Sequence, residues 1–447
     1  MLYLYSALIL LYTINVFAVS RTLECIVGIL SILSLALSFQ RADRLYKSTG
    51  SVFMIVGLLL YMDSGLSWTK LPYFMNSTVI LLVIFYVLPF INSIIVVGRY
   101  DQSVNKLLKI RTDHLGQLYY RGSLVSFLLG SFLNIATIPF VEAVLRKNLQ
   151  SITVKLRHLF ISQVMLRGYA LSLAWSPMEI LVAISVDITQ IGYLQYLPWL
   201  LLFSFVLLLF DWALGFRYRK HQLQLDEEKQ AIALNIATLR RIFALLVYLS
   251  LFIAAVVGVR SLLAISFLLA VALVIVPYSI IWALIIRRGH MFIMYSLAQW
   301  KIRVSSMQSY VVLFLAVGFF ISILRETHYL EHMQEPFSSL ADTPLLLFAA
   351  IQGLFIGLAM IGFHPLVTMS ILGEVVQPLL GQINPISIGI VLITSGLSTV
   401  MAGPYNLTVS LTSSLLGENP YRISLWNIGF AFLYSSIGTF IAFFLLL

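Results

Sequence analysis

Apolar runs about 20 residues long follow one another along the chain, separated by short polar stretches rich in Lys and Arg. Each run is long enough to cross a hydrocarbon core of roughly 30 Å as a helix. The pattern predicts helices near 2–18, 23–39, 51–63, 76–98, 159–186, 194–215, 241–258, 261–286, 308–324, 387–415 and 425–447. Two further segments, 122–145 and 343–380, are apolar but interrupted by a proline after polar residues, in "NIATIPF" and "GFHPLVT". They predict re-entrant hairpins. The expected fold is thus all-α: a polytopic membrane protein of about 11 transmembrane helices plus two re-entrant hairpins.

Charge supports the hairpins. The stretches 40–49, 99–121, 146–158, 216–241 and 287–303 hold 22 of the 28 Lys and Arg residues, as cytoplasmic loops do. A single crossing at 122–145 would put the basic stretches on its two sides in opposite compartments; a hairpin entering from the cytoplasm removes the conflict. The second hairpin follows "RETHYLEHMQEPFSSLAD", where Arg325 stands against Glu326, Glu331, Glu335 and Asp342, so it is expected to enter from outside. The N-terminus then lies inside and the C-terminus outside, in an inner (plasma) membrane. The first apolar segment, Leu2 to Val19, has no basic residue before it and no convincing small-residue cleavage site, and is expected to be retained as a helix.

Composition agrees with this reading. Sixty per cent of the 447 residues are hydrophobic, 10% are charged and the mean hydropathy is +0.97, against roughly 45–50% apolar and about 25% charged in soluble domains. The net charge of +10 is explained by the loops and implies no nucleic acid. A single cysteine, Cys25, excludes an intrachain disulfide and offers no cysteine zinc cluster.

A weak internal repeat is also legible. The stretch "LSLAWSPMEILVAISVDITQIGYLQYLPWLLLFSF" lies without gaps on "STVMAGPYNLTVSLTSSLLGENPYRISLWNIGFAF", with Pro177 on Pro404, Trp199 on Trp426 and Phe203 on Phe430. Both halves run hairpin, proline-broken helix, Trp-containing helix, with opposite predicted orientations, the sign of an inverted repeat. The expected organisation is an extra N-terminal helix at 1–19, a first repeat at 20–216, a cytoplasmic linker at 217–241 and a second repeat at 242–447.

Non-helical backbone at membrane depth leaves polar groups unpaired and persists only where protein or a water-filled cavity satisfies it. Gly403 and Pro404, followed by Asn406 and preceded by Ser398 and Thr399, therefore form a candidate binding site; Ser172, Ser176 and Glu179 belong to its counterpart. The plain alternative is a pair of proline kinks with hydroxyls packed between helices.

The layout resembles the ion transporter superfamily, especially its divalent anion/sodium symporters and the related citrate and arsenite transporters. "FLNIATIPFVEAVLRKN" is similar to the family's hairpin with a polar tip, and "AGPYNLTV" to its Gly-Pro-rich loop. The resemblance implies Asn134, Thr137, His364, Thr368, Ser398, Thr399 and Asn406 facing substrate or coupling ions, an elevator-type mechanism and a homodimer. The familiar Ser-Asn-Thr triplets are absent, and "WSPME" puts Glu179 where the second half has Asn406.

Ionisable residues inside spans default to functional candidates: Glu142, Arg167, Glu179, Asp211, His364 and Glu374. Glu179 either carries a coupling proton or pairs with a basic neighbour such as Arg167. Asp211 is expected near a span end, reaching the headgroups. No HExxH, Walker loop or suitable GxSxG occurs, which argues against an enzyme. The expectation is a secondary active transporter of a small solute, by preference an anion, coupled to protons or sodium, with no metal site and no other cofactor. Two alternatives stay open: a cell-envelope polysaccharide polymerase or ligase, using Arg325, His328 and His332, and a lipid-carrier flippase.

Overall fold

A computed structural model describes residues 1–109, 112, 114–150, 152–222 and 236–447. Most of the expected linker 217–241 therefore lies outside the described residues. In chain order the helices are α1 (Leu2–Ala18), α2 (Arg21–Phe39), α3 (Arg44–Asp63), α4 (Val79–Val97), α5 (Tyr100–Asn105), α6 (Leu115–Leu133), α7 (Thr137–Asn148), α8 (Val154–Leu173), α9 (Ile180–Thr189) and α10 (Tyr193–Gly215). There follow α11 (Ile236–Leu263), α12 (Phe267–Ile285), α13 (Gly289–Ser305), α14 (Gln308–Leu324), α15 (Tyr329–Ser338), α16 (Pro344–Ile361), α17 (Pro365–Val375), α18 (Pro385–Ala402), α19 (Leu407–Leu416) and α20 (Pro420–Phe444). Among the described residues there is no strand, and ten helical stretches are long and apolar enough to cross a membrane. The protein is an all-α, multi-pass membrane protein.

Two compact units are each assembled from three stretches of chain. The first takes Met1–Ile94, Leu268–Ser339 and Ser370–Pro378, the second Ile95–Phe267, Leu340–Met369 and Leu379–Leu447. Each half of the sequence contributes to both.

The first unit is organised on α14, which is buried almost throughout. Glycines on α3 let it lie close and parallel: a side chain at Gly50 would meet Val312, and one at Gly57 would meet Phe319. Thr78 and Ser77 donate hydrogen bonds to the α14 carbonyls of Phe314 (2.6 Å) and Gly318 (3.0 Å). The basic stretch 287–303, expected as a loop, is the helix α13, bent 59° from α14. Its Met291, Ile293, Met294, Leu297 and Ile302 are exposed, an apolar series of the kind that suits a helix at a membrane interface, despite the four cations around it.

In the second unit, α6 and α8 run parallel at close range. Gly122 faces Val164, Gly168 faces Ser123 and Ser126, and Gly130 faces Ser172, so small residues four apart let the backbones approach. The stretch Leu115–Asn148 is apolar enough to be one span. It folds back instead, because Leu145 of α7 lies beside Gly122 of α6. The first hairpin is therefore α6–α7, with its turn at Asn134.

The second hairpin is α16–α17. Phe355 and Ala359 of α16 face Gly396 and Gly403 respectively, so α16 and α18 run parallel and the chain between them must return. The turn is made at Gly362, in the left-handed region at φ 109°.

Helix α20 serves as a ruler, about 37 Å long at 1.5 Å per residue. Near its start, the Trp426 carbonyl accepts from Gln163 of α8 (2.9 Å); at its far end, the Leu445 carbonyl accepts from Asn384, which caps α18 (3.4 Å). Helices α8 and α18 therefore begin at opposite ends of α20. Since each hairpin runs alongside its own helix, the two hairpins open toward opposite ends as well.

Candidate functional site

Each hairpin turn meets a break in the helix it accompanies. The first break, residues 174–179 ("AWSPME"), separates α8 from α9; the second, residues 403–406 ("GPYN"), separates α18 from α19. Proline supplies no amide donor and glycine permits the sharp turn, so the helices stop there.

At the first break the hairpin is held by side chains. Asn134 adopts φ 48° and ψ −135°, a conformation asparagine tolerates better than other non-glycine residues. Its Oδ1 accepts from its neighbour Ile135 N (2.7 Å) and from the Tyr169 hydroxyl of α8 (2.7 Å). Ser176 Oγ donates to the Ser131 carbonyl of the hairpin (3.2 Å). Glu179 then caps α9: its carboxylate accepts from Leu181 N (3.5 Å), where the helix dipole favours a negative group.

The second break follows the same path with neutral groups. Ala359 of the hairpin lies against Gly403, the residue that matches Ser176 in the gap-free register of the repeat. Asn406, which matches Glu179 in that register, caps α19 by accepting from Thr408 N (3.2 Å) and Thr408 Oγ1 (3.0 Å). His364 opens the returning helix of the hairpin, its Nδ1 accepting from Leu366 N (3.3 Å), and Thr368 is buried one turn later.

Several candidate hydroxyls are turned onto their own helices. Ser172 donates to the Tyr169 carbonyl (2.6 Å), Ser398 to Ser395 (2.7 Å) and Thr399 to Gly396 (2.6 Å). Their oxygens keep acceptor capacity, but their protons are engaged. Three buried donors are not: Thr137 Oγ1 just past the first hairpin turn, Trp175 Nε1 in the first break and Asn406 Nδ2 in the second have no hydrogen-bond partner among the described residues. Buried polar atoms are nearly always paired, so each keeps a donor available for an acceptor.

Register along α20 places the two breaks. Ala170 accepts from Tyr434 and Thr394 faces Gly438, so the first break lies near the level of residue 438 and the second about 9 residues lower, roughly 14 Å along the axis. They bracket the middle of the helix.

Beneath the first break is a buried ionic cluster. Asp211 of α10 is fully buried and accepts from Tyr119 (2.6 Å), Ser123 (2.8 Å) and Arg167 (3.5 Å). Arg167 also donates to Asn427 Oδ1 and the Trp426 carbonyl (3.2 Å each) and lies over the Phe430 ring at 4.8 Å. This corrects two expectations: Asp211 does not reach headgroups, and Arg167 pairs with Asp211 rather than Glu179. The other span carboxylates are also held, Glu142 by Arg146 and Glu374 by Arg325. In the same register, the counterparts of Arg167 and Asp211 are Thr394 and Gly438, which lie against each other.

Tyr169 and Trp175 were not among the residues singled out from sequence. Trp175 stands two positions before the break proline, and an indole N–H beside a broken helix is a usable signal. Tyr169 has none, because its partner lies 35 residues upstream.

No family model and no curated protein sequence matches the chain. Among solved structures, the chain is similar to the YdaH transporter of Alcanivorax borkumensis, described as having an unusual topology. The TM-score is 0.62 at 13% identity, over 88% of this chain and 98% of that one. It is also similar to MtrF of Neisseria gonorrhoeae, described within a class of antimetabolite efflux pumps, with a TM-score of 0.55 at 12% identity, over 88% of this chain and 94% of that one. The likeness establishes a shared fold.

Proposed function

We propose that this protein is a secondary active transporter of a small solute, by preference an anion, driven by protons or sodium, and not an enzyme. The observation that carries the reading is the pair of hairpin-and-break constructions opening toward opposite ends of α20, each with buried donors left without a partner. Donors without acceptors suit a solute rich in oxygen acceptors, and the positive dipole end of α19, capped by the neutral Asn406, adds a favourable field for negative charge. In this reading the two constructions are inverted repeats of the ion transporter superfamily type, moving as an elevator in a homodimer. The end of α8 that carries the basic stretch 146–158, and with it the start of α20, faces the cytoplasm of an inner membrane, which leaves the C-terminus outside. That the two structural neighbours are both transporters supports transport in general.

The envelope-enzyme alternative relies on Arg325, yet that guanidinium is held by Glu374 through two hydrogen bonds, one of 2.8 Å. Nothing specific favours it.

The test is reconstitution into proteoliposomes with a panel of small anions: phosphate, arsenite, mono- and dicarboxylates and aromatic carboxylates. Accumulation beyond equilibrium under an imposed proton or sodium gradient is expected. Absence of flux for every class, or flux that neither gradient moves, would refute the reading.

A further inference from the structure

The two helix breaks share a path but not a chemistry. At the capping position of the helix that restarts after the break, the first half has a carboxylate, Glu179, and the second an amide, Asn406. Both helices are ten residues long, and in both the capping oxygen accepts from the amide two residues on. The Arg167–Asp211 pair also has uncharged counterparts, Thr394 and Gly438, but it lies beneath the break rather than at the cap. The cap differs by a titratable proton.

We infer that Glu179 is the coupling-proton site, and that proton binding acts by releasing the cap of α9, while Asn406 keeps α19 capped at every pH and offers its free amide to the solute. The inference rests on the transport reading and deepens it. An ionised carboxylate at a helix N-terminus accepts hydrogen bonds and opposes the positive end of the dipole; the neutral acid keeps a weaker acceptor and loses the charge. One proton taken from water on one side and returned to water on the other closes the cycle, with no bond broken elsewhere.

The titratable groups around Glu179 are few: on α9 itself Asp187 accepts from Phe267 N (2.7 Å), and α17, which packs on α9 through Met369 and Ser185, is preceded by His364, whose Nδ1 accepts from Leu366 N (3.3 Å). From α20 Glu179 is faced by Tyr434, whose hydroxyl is committed to the Ala170 carbonyl at 2.9 Å. From α10 the break is faced by Tyr193, donating to the Trp175 carbonyl, and from the same helix α8 by Tyr169, donating to Asn134. Helix α18 brings Gly396 against Leu181 and has no ionisable residue. The charged residue in the second half of α8, Arg167, is taken by Asp211. The break also contains the unpartnered Trp175 Nε1, a second sign that this backbone is built to meet something other than its own side chains.

The experiment needs no solute. Hydrogen–deuterium exchange of the full chain in lipid nanodiscs follows peptides covering 178–186 and 405–412 across pH, corrected for intrinsic rates, for the natural protein, Glu179→Asn and Asn406→Asp. Both variants retain a good capping residue, so the fold is kept. In the natural protein the first peptide is expected to exchange severalfold faster at low pH while the second stays constant. Glu179→Asn abolishes that response, and Asn406→Asp transfers one to α19. Subtracting the pH-difference infrared spectrum of Glu179→Asn from that of the natural protein should leave a protonated-carboxyl component that belongs to Glu179. A first peptide insensitive to pH, a response unchanged in Glu179→Asn, or a subtraction that leaves no carboxyl component would overturn the inference. Since none of these readouts involves flux, failure of the transport reading registers separately, in the proteoliposome panel.

Discussion

Helices α8 and α18 trace the same course, beside a hairpin, up to a break and on into a ten-residue helix, yet they are built from different material. The buried face of α8 includes Gln163 and Arg167, and its charge is answered from α10 by Asp211. Helix α18 has no ionisable residue, and where its partner half has an ion pair it sets a threonine against a glycine. The path is therefore specified by where helices stop, where caps fall and where backbones must approach, and each half then fills the same gap in its own way. One fills it with charge, the other with closeness.

The comparison is broken most severely by removing half of the ionic solution. Arg167→Met alone leaves Asp211 buried with a charge and two neutral donors, and Asp211→Leu alone strands Arg167. Each is expected to cost roughly 3–5 kcal/mol, while the double substitution recovers much of the loss because a buried pair can often be exchanged for apolar groups. Thermal unfolding followed by fluorescence-detected size exclusion reads the cycle. If the double variant is no better than either single one, the pair does more than neutralise itself.

A smaller effect is expected from spoiling the solution based on closeness. A β-carbon at Gly438 would come within 2.0 Å of Thr394 Oγ1, so Gly438→Ala must push α18 and α20 apart. Overpacking of this kind costs about 1–3 kcal/mol. Gly438→Ala combined with Thr394→Ala should relieve most of it, measured by the same thermal shift. The control is Gly357, which lies in open space and should tolerate alanine with little change.

Smaller again is the loss of a cap. Asn406→Ala removes the acceptor for Thr408 N and is expected to destabilise the start of α19 by about 1 kcal/mol, against near neutrality for Asn406→Asp at neutral pH. Faster amide exchange in 407–410 is the readout.

How much of this was legible in the sequence follows from the range of the interactions. The hairpins and the breaks depend on prolines, glycines and polar residues at their own positions, and the register that sets Pro177 on Pro404 also sets Glu179 on Asn406, whose role as helix caps only the structure shows. The partner of Arg167 was misjudged because a carboxylate 44 residues away on another helix leaves no local trace, and Asp211 near the end of an apolar run looks like a residue at the headgroups. Helix α13 was missed for the opposite reason. Its cations satisfy the rule for a cytoplasmic loop, and a helix lying at lipid contact can satisfy that rule equally well. Hydroxyl protons were the least legible: Ser172, Ser398 and Thr399 lie beside the breaks, but whether a hydroxyl points to a ligand or to its own carbonyl is decided by a rotamer.

The two halves also meet at their ends, and there the expected effect is smallest and depends on pH. Glu418, in the turn between α19 and α20, accepts from His158 at the start of α8 (2.9 Å) and from Arg422 (2.9 Å). Since an ionised carboxylate only accepts, His158 must present its Nδ1–H to it. The hydrogen bond from His158, followed by the charge of Arg422, holds the Glu418 carboxyl below the ordinary carboxylate range. A group depressed on folding contributes its stability in full above its unfolded value of about 4.3 and loses it as the pH falls through the folded value. The turn should therefore loosen on acidification below about pH 4, not on alkalisation, by at most about 1 kcal/mol for a pair this close to the surface. Amide exchange in peptides covering 414–422 should rise over that acid limb in the natural protein and show no such rise in Glu418→Gln, which should exchange faster already at pH 6. An identical acid limb in both proteins would mean that the ends of the two halves are held by Arg146, which reaches the Leu415 carbonyl from α7, and that the His158 contact is incidental.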